Sequence, residues 1–326
     1  MTYDLISIGD PTVDTFLKIH DGHVALSHRT SQKELHINYA DKIAVDEFFR
    51  FPAGNMPNNA IGAARLGLKV ISYGEVGDDS DGRWIRSKLK EEGVETRFIR
   101  TDEKRSTNYS SVIVFQKERT IFVWHQKREY KLPALPQSEW VYLTSLGPLD
   151  SSLEKLHREI LGYLKSHPAR LAFNPGTYQL MMGRSGLEGL LQRSELAFLN
   201  KEETQQLTGQ SSQDIKVLLR AFKALGPQTV VVTDGPKGSF AYDGKTYFAC
   251  GIYDLPVVER TGAGDSYGTA FLAARHYGLS VAEAMRWGTF NSAYVVGQMG
   301  GILGLVDKKT MQTLSSGHPE LKVREI

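Results

Sequence analysis

The chain has 326 residues but only one cysteine, Cys250, and it lacks any long apolar segment. A single cysteine excludes an intrachain disulfide and a zinc site built from several cysteines, and it suits a reducing compartment. No apolar run reaches the roughly 18 residues of a transmembrane helix, and the N-terminus has no basic segment followed by an apolar one. We therefore expect a cytoplasmic protein with no membrane contact.

The chain also lacks an excess of charge of either sign. Lys plus Arg (39) nearly balance Asp plus Glu (37), which leaves a formal net charge of +2 at pH 7. Such a chain has no overall field that would attract nucleic acid or an anionic membrane. Its 41% of hydrophobic residues can bury one large core. The composition favours a globular protein that acts on a small molecule, without a nucleic-acid partner.

Two common nucleotide-binding motifs are absent as well. The Walker sequence Gly-x4-Gly-Lys-Ser/Thr occurs nowhere. A dinucleotide fingerprint follows the first strand, whereas the glycine-rich run here, residues 261–265, comes late and has its third glycine displaced to Gly268. A bound nucleotide must therefore be held by a different arrangement of the backbone.

The spacing of apolar residues predicts alternating strands and helices. Residues 3–9 predict a buried first strand, and strand and helix patterns then alternate through residues 140–233. Two long helices are expected at about 263–277 and 281–299, where they would close the chain. Repeated strand and helix units favour an α/β fold with a doubly wound, mainly parallel sheet flanked by helices.

Two segments interrupt this alternation. Residues 11–53 contain only short alternating stretches, which predict a small antiparallel excursion, and residues 109–115 and 120–124 are β-branched runs that predict a hairpin. We therefore expect one α/β domain over residues 1–326 that carries a small, discontinuous β lid from about 11–53 and 104–128.

The strongest chemical signal is the run Thr-Gly-Ala-Gly-Asp at residues 261–265, which leads directly into an apolar helix. Small residues leave the N–H groups of a helix start open, so that Gly262, Ala263 and Gly264 can bind the charge on a transferring phosphoryl group. Asp265 can then accept the proton of an attacking hydroxyl. Taken alone, the run fits equally well a glycine-rich turn in which Asp265 caps the helix.

Four segments, in chain order, resemble motifs of the ribokinase-like (PfkB-type) carbohydrate kinases. Residues 9–14 are similar to the end of the family's first strand, and residues 53–60 to its N-terminal glycine motif. Residues 200–203 fit its Asn-x-x-Glu motif and residues 261–265 its C-terminal motif. The resemblance covers essentially the whole chain, and it implies a ribokinase-like fold and the ATP-dependent phosphorylation of a hydroxyl of a small sugar.

The resemblance also implies roles for single residues. Asp14, Gly54 and Asn58 would contact the substrate, while Asn200 and Glu203 would place Mg²⁺ and the phosphates. Each has a structural alternative: Asp14 in a solvated loop, Gly54 in a plain turn, and Asn200 with Glu203 in a helix capping box. Their joint occurrence in family order, together with Asp265, favours the functional interpretation.

The nucleotide side is implied by residues 233–238, which follow an apolar strand and resemble the family's Thr-x-Gly-x-x-Gly. Thr233, Gly235 and Gly238 would approach ATP there, since glycines let the backbone pass close to a ligand; a β-turn is the structural alternative. Asn291 occupies the place where the family lines the adenine pocket from a late helix. ATP and Mg²⁺ are thus the implied cofactors.

Several positions depart from the family pattern. Thr12 stands where sugar kinases often have asparagine, Ala53 replaces the first of two glycines, and Met56 fills a usually small position. The family's ribose or fructose preference is therefore not carried over. Glu259 and Arg260 stand where relatives commonly have Asp-Thr, in a segment that helps to bind a monovalent cation, so dependence on K⁺ is left open.

Other functions were weighed against a sugar kinase. A nucleoside kinase would stack a base on lid aromatics such as Phe115, Phe122 and Trp124, although their alternation fits a buried hairpin face better. A kinase of phosphorylated sugars is disfavoured because the lid shows no dedicated basic cluster beyond the scattered Arg100, Lys104, Arg105 and Arg119. A non-catalytic sugar-binding protein is disfavoured because Asp265 and its glycines are intact. Lids of this family often pair into dimers, so the resemblance permits a homodimer through the lid without requiring it.

Overall fold

The computed structural model describes residues 2–27, 32–116 and 118–326. In chain order the strands are β1 (Tyr3–Ile8), β2 (Thr12–Lys18), β3 (His23–Leu26), β4 (Lys33–His36), β5 (Glu47–Ala53), β6 (Val70–Gly77), β7 (Ile99–Asp102), β8 (Asn108–Phe115), β9 (Glu118–Trp124), β10 (Ser138–Leu143), β11 (Arg170–Phe173), β12 (Ser194–Asn200), β13 (Thr229–Thr233), β14 (Ser239–Tyr242), β15 (Tyr247–Cys250) and β16 (Val323–Glu325). The helices are α1 (Asn55–Arg65), α2 (Ser80–Glu91), α3 (Ser151–Ser166), α4 (Thr177–Leu180), α5 (Gly183–Arg193), α6 (Lys201–Thr208), α7 (Ile215–Lys223), α8 (Ala263–His276), α9 (Val281–Val296) and α10 (Lys308–Gly317).

Ten strands form one sheet in the order β16-β15-β14-β13-β12-β11-β10-β1-β6-β7. The seven strands from β13 to β7 run parallel, and β14, β15 and β16 extend the sheet in antiparallel fashion. Strands of a parallel sheet are covered on both faces and are therefore apolar along their length, as the fully buried Val230, Val231 and Val232 of β13 illustrate. The predicted mainly parallel sheet is confirmed.

Helices cover both faces of this sheet. Neighbouring residues of β1 point to opposite sides: Leu5 belongs to the core that contains Phe271 of α8, whereas Ile6 belongs to the core that contains Leu156 of α3. The doubly wound arrangement is thus confirmed. None of the helices in the described ranges has both the length and the apolar character needed to span a bilayer.

The end of the chain differs from the prediction. The two long helices are present as α8 and α9, but α10 and β16 follow them, so they do not close the chain. The sequence of α10 is polar and buries only Met311 and Leu314, which is too weak a periodicity to recognise. Asp307 caps it by accepting a hydrogen bond from the Thr310 N–H. Helix α5 also went unpredicted because three glycines dilute its helix propensity.

A second sheet, β5-β2-β8-β9, forms the lid, and both predicted lid segments contribute to it. The predicted hairpin is present as β8 and β9, which pair antiparallel, as do β2 and β5. The antiparallel excursion expected for residues 11–53 is confirmed, because β2 pairs with β5 and β3 pairs with β4 in antiparallel fashion. Strands β2 and β8, which come from the two different lid segments, pair in parallel. Residues 108–115 return to the lid after the α/β excursion through α1, β6 and α2, and a crossover of this kind produces a parallel pair.

Candidate active site

The chain enters α1 through a tight turn at Gly54, which occupies the N-cap position with φ 101°. A Cβ at this position would lie 2.5 Å from the backbone oxygen of Asp10, so only glycine fits the turn without strain. The turn starts α1 beside the end of β1 and the start of β2. Asn55, Asn58 and Asn59 then lie on one face of α1, because residues three and four apart on a helix are neighbours.

Asp265 is the third residue of α8, and two of these asparagines bind its carboxylate. Asn55 Nδ2 donates to Oδ1 at 2.7 Å, and Asn58 Nδ2 donates to Oδ2 at 2.9 Å. The N-cap position of α8 is occupied by Gly262, in the left-handed conformation with φ 77°. The structure therefore contradicts the interpretation of Asp265 as a capping residue, because its side chain faces α1.

Burial raises the pKa of the Asp265 carboxyl above its ordinary value, and the hydrogen bonds from Asn58 and Asn55 lower it. Burial acts because the ionised form loses its hydration, while the amide N–H groups stabilise that form. A buried carboxylate with a raised pKa holds an accepted proton more readily than a solvated one. These are the properties of a general base.

A chain of buried hydrogen bonds fixes α1 and α8 to β1. Ser7 Oγ donates to Asn59 Oδ1 at 2.6 Å, Asn59 Nδ2 donates to Thr269 Oγ1 at 2.9 Å, and Thr269 Oγ1 donates to the Asp265 carbonyl at 2.6 Å. Asn55 and Asn59 are supporting residues that were not predicted from the sequence. Their signal was the Asn-Met-Pro-Asn-Asn sequence, which places three amides at helical spacing.

The glycine loop, residues 261–264, leads into the first turn of α8. The N–H groups of a first turn have no acceptor within the helix, so those of Gly264 and Asp265 are open to a ligand. A Cβ added to Gly264 would meet no atom within 4 Å, which shows that this residue faces open space. Gly264 is therefore placed as the predicted anion hole requires, whereas the Ala263 N–H donates to the Arg260 carbonyl at 3.4 Å. The anion hole at Gly262, Ala263 and Gly264 stays a prediction.

A cavity of about 280 Å³ connects the glycine loop to the β13–β14 connection. Ala263 and Gly264 line one end, and Thr233, Gly235 and Gly238 line the other. Its remaining wall is mostly apolar and includes Ile252, Tyr253, Leu255, Val257, Ala293 and Val296. Apolar walls with a few polar groups at one end suit a flat base with attached phosphates. The cavity thus brings together the residues predicted for ATP from two distant motifs.

Asn291 does not line this cavity, and its predicted contact with adenine needs correction. Its side chain is fully buried, where Nδ2 donates to the Ser266 carbonyl at 2.8 Å and Oδ1 accepts from the Val306 N–H at 3.1 Å. Each residue turns the direction of a helix side chain by about 100°, so Ser292 faces the cavity while Asn291 faces α8. Asn291 connects α9 to α8 and to the segment before α10.

Asn200 and Glu203 form the capping box that was the structural alternative for them. Asn200 Oδ1 accepts from the Glu203 N–H at 2.8 Å, and Glu203 Oε2 accepts from the Asn200 N–H at 2.9 Å. Asn200 also pairs with Thr233 in the sheet, which places the box beside the cavity.

The electrostatic setting of Glu203 fits a cation. Burial raises the pKa of its carboxyl, and the hydrogen bond from the Asn200 N–H lowers it. The negative charges of Glu202 and Asp265 raise the pKa further. A divalent cation would offset this concentration of negative charge, and carboxylate oxygens are ligands that Mg²⁺ prefers. The capping role and a metal role are therefore compatible at Glu203.

Asp14 lies in the lid strand β2, where it faces the same region as Asp265. Its carboxyl is buried, which contradicts the alternative of a solvated loop residue. Burial raises the pKa of Asp14 to about 6; a hydrogen bond with Ser110 and the charge of Arg119 lower it, and the charges of Glu259 and Asp265 raise it. Two predicted residues from distant motifs, Asp14 and Asp265, are thus close enough to interact electrostatically.

Several buried polar atoms around this region have no hydrogen-bond partner among the described residues. They are Asp10 Oδ1, Thr12 Oγ1, Asn58 Oδ1 and Thr144 Oγ1. Buried polar groups without partners are costly, so their concentration at the ends of β1 and β10 and the start of β2 indicates a binding site for a polar ligand. Donors and acceptors at these positions suit a molecule with several hydroxyls.

The lid aromatics Phe122 and Trp124 fit neither of the two predictions for them, which were stacking on a nucleoside base and packing in a buried hairpin face. In the lid register Asp14 pairs with Ser110 and Ser110 pairs with Val123, so these three share the face towards Asp265. Phe122 and Trp124 alternate to the opposite face, and their exposed fractions are 63% and 58%. They neither form a buried hairpin face nor reach the acceptor region for stacking; Phe115 is buried within the lid.

Comparison with solved structures identifies the fold. Methanocaldococcus jannaschii nucleoside kinase, described as an archaeal member of the ribokinase family, matches with a TM-score of 0.78 over 97% of this chain and 99% of that chain, at 17% identity. Arabidopsis thaliana ribokinase complexed with ribose and ATP matches with a TM-score of 0.77 over 97% and 99%, at 20% identity. These likenesses establish the fold class alone, and they confirm the predicted ribokinase-like fold.

Comparison of sequences identifies the family. The model of the pfkB family carbohydrate kinases matches residues 24–308, so the chain belongs to this family. A relative, 5-dehydro-2-deoxygluconokinase of Shouchella clausii (strain KSM-K16), is 26% identical over 266 residues, which cover 76% of this chain and 81% of that protein. The enzyme class predicted from the sequence, an ATP-dependent sugar kinase, is thereby confirmed.

Proposed function

We propose that the protein transfers the γ-phosphoryl group of ATP to a hydroxyl of a small sugar, with Asp265 as the general base. One observation carries the proposal: the Asp265 carboxylate is fixed by Asn55 and Asn58 beside the open N–H groups of the first turn of α8. A proton acceptor and an anion hole are thereby joined in one turn of helix. Positioning and charge stabilisation provide most of the rate in phosphoryl transfer.

The acceptor would be held between the lid and α1. Asp14 would accept hydrogen bonds from its hydroxyls, and Asn58 would contact it through the unpartnered Oδ1. Gly54 would contribute through the tight turn that brings α1 against residues 10–12, where a Cβ would lie 2.5 Å from the Asp10 backbone oxygen. Asp265 would then take the proton from the hydroxyl that attacks the γ-phosphorus.

ATP would occupy the cavity, with Thr233, Gly235 and Gly238 near its ribose and phosphates. Gly262, Ala263 and Gly264 would donate N–H groups to the transferring phosphoryl group. Glu203 would hold Mg²⁺ beside Asn200, and when bound the ion supplies positive charge that offsets the charge of the phosphates.

The lid would exclude water from this site. A closed lid prevents hydrolysis of ATP by solvent, which gives its movement a chemical purpose. We treat residues 1–326 as one kinase domain with a lid, and a homodimer through the outer lid face as its assembly. That face exposes Phe48, Phe122 and Trp124. K⁺ stays an open question because Glu259 and Arg260 replace the residues that are usual in this segment.

A sugar is favoured over a nucleoside because the site offers polar atoms while Phe122 and Trp124 face away from it. The name of the Shouchella clausii relative describes a kinase of a deoxygluconate, so sugar acids belong among the candidate acceptors.

The test is a screen for ADP release with Mg-ATP over hexoses, pentoses, keto-deoxy sugar acids and nucleosides. We expect release above the acceptor-free rate with at least one sugar or sugar acid. A tenfold preference for nucleosides over every sugar would reverse the order of the two kinase functions. ADP release with none of these compounds would favour a non-catalytic binding protein.

A further inference from the structure

An arginine of the lid reaches a buried carboxylate beside the glycine loop. Arg119 lies on β9, and its Nη1 is 3.2 Å from Oε1 of Glu259, whose exposed fraction is only 2%. This ion pair joins two parts of the molecule that the resemblance to known kinases did not connect. Within the described part of the chain, Arg119 is the cation that pairs with Glu259.

Glu259 in turn fixes the start of the glycine loop. Both of its carboxylate oxygens accept from the Thr261 N–H at 2.8 Å, and Oε1 also accepts from Thr261 Oγ1 at 2.7 Å. Thr261 directly precedes Gly262, the N-cap of α8. The orientation of Glu259 therefore sets the conformation of the loop that presents its N–H groups to the cavity.

Arg119 is placed on the inner face of the lid. Val123 shares the inner face of the lid with Asp14. Arg119 is four residues before Val123 on β9, and side chains alternate along a strand with a period of two, so Arg119 is on the same face. Three carboxylates, those of Asp14, Glu259 and Asp265, lie near one another below this face. A group of buried carboxylates is costly without a positive partner, and Arg119 supplies one from the lid.

We propose that Arg119 is a positioning residue that couples closure of the lid to assembly of the anion hole through Glu259. With the lid closed, Arg119 orients Glu259, and Glu259 holds Thr261 so that the amides of residues 262–264 face the phosphoryl group. With the lid open, Glu259 loses its counter-charge and the loop is less well ordered. The catalytic part of this inference rests on the proposed kinase function.

The first test needs no substrate. Hydrogen exchange of the peptide that spans residues 258–265 is compared in the wild type, Arg119→Gln and the control Glu118→Gln, which changes an exposed residue of the same strand. We expect exchange about fivefold faster or more in Arg119→Gln, because the loop loses its tether, and no change in the control. Equal exchange in the wild type and Arg119→Gln overturns the proposal.

The second test uses the acceptor found in the screen. Arg119→Gln and Glu259→Gln are each expected to lower kcat by roughly 10- to 100-fold, with KM for ATP within about threefold of the wild type. The double variant is expected to be no worse than the poorer single variant, because both remove one interaction. Arg119→Lys is expected to recover part of kcat.

Additive losses in the double variant would contradict the coupling. A rise in the acceptor KM that occurs in Arg119→Gln but not in Glu259→Gln would instead make Arg119 a direct ligand of the acceptor, and would also overturn the proposal. Failure of the wild type to phosphorylate any acceptor would contradict the proposed function, while the exchange result would still decide whether Arg119 orders the loop.

Discussion

Asn55 and Asp265 are 210 positions apart in the sequence, yet Asn55 Nδ2 lies 2.7 Å from Asp265 Oδ1. The contact joins the first residue of α1 to the first turn of α8. The hydrogen bond holds the Asp265 carboxylate away from the N–H groups of its own helix start. An acidic side chain in a first turn would otherwise be stabilised by those N–H groups. The helix start is thus left open for an anionic ligand, and the carboxylate is aimed at the acceptor side.

Replacement of Asp265 by asparagine is expected to lower kcat by about 10² to 10⁴ because it removes the proton acceptor. The amide keeps the size of the side chain, so ATP affinity measured by calorimetry is expected to stay close to that of the wild type. Near-normal turnover in this variant would exclude Asp265 as the base.

Removal of Asn55 or Asn58 is expected to change the pH dependence of turnover. Their hydrogen bonds lower the pKa of Asp265, so Asn55→Ala and Asn58→Ala raise it further. The acid limb of the kcat profile is therefore expected to move to higher pH. Asn59→Ala is the matched control from the same helix face, since Asn59 binds Thr269 and not the carboxylate. A profile that moves equally in all three variants would point to a general disturbance of α1.

Gly262 and Gly264 are expected to respond differently to alanine. Gly262→Ala places a Cβ 2.7 Å from Gly301 Cα at a positive φ, so a loss of stability of about 1 to 3 kcal/mol is expected in urea denaturation. Gly264→Ala points a methyl group into open space in the cavity, so stability is retained while activity falls by tenfold or more. Full activity in Gly264→Ala would show that the phosphates lie elsewhere.

Asp10 is expected to make stability depend on pH in an unusual direction. Burial raises its pKa to about 7, although hydrogen bonds from Tyr130 and the Gly147 N–H lower it. Because the folded state holds this proton more tightly than the unfolded state, its contribution to stability is present below about pH 4 and is lost as the pH rises through about 7.

The size of the effect is on the order of 2 to 4 kcal/mol, at about 1.4 kcal/mol per unit of pKa. Urea denaturation of the wild type and Asp10→Asn at several pH values measures it. As the pH rises from 5 to 8, the free energy of unfolding of the wild type is expected to fall relative to that of Asp10→Asn. Free energies of unfolding that change in parallel with pH in the two proteins would contradict the assignment.

The sequence predicted the elements whose pattern is strong. The bounds of β13 match residues 229–233, because three consecutive valines flanked by threonines leave no alternative to a buried strand. The order of strands and helices then implied the parallel sheet, and the motifs implied an acceptor side with Asp14 and a nucleotide side with Thr233 around Asp265. Each of these predictions depended on local pattern or on the order of segments along the chain.

The errors arose where a side chain's direction depends on tertiary contacts. Whether Asn291 faces the cavity or α8 is decided by a rotation of a single residue in a helix that is buried nearly all round. Phe122 and Trp124 lie on a strand whose seven residues are all exposed, so alternation alone could not say which face is inner. The register with Asp14 decides it, and that register is a long-range property.

Only Gly9, Asp10 and Pro11 separate the end of β1 from the start of β2. Strand β1, the third from the β7 edge of the large sheet, therefore continues almost directly into β2, one of the two central strands of the lid. A movement of the lid that displaces β2 would therefore carry Asp14 with it towards or away from Asp265. Capture of the acceptor and exclusion of water would accordingly be one motion rather than two.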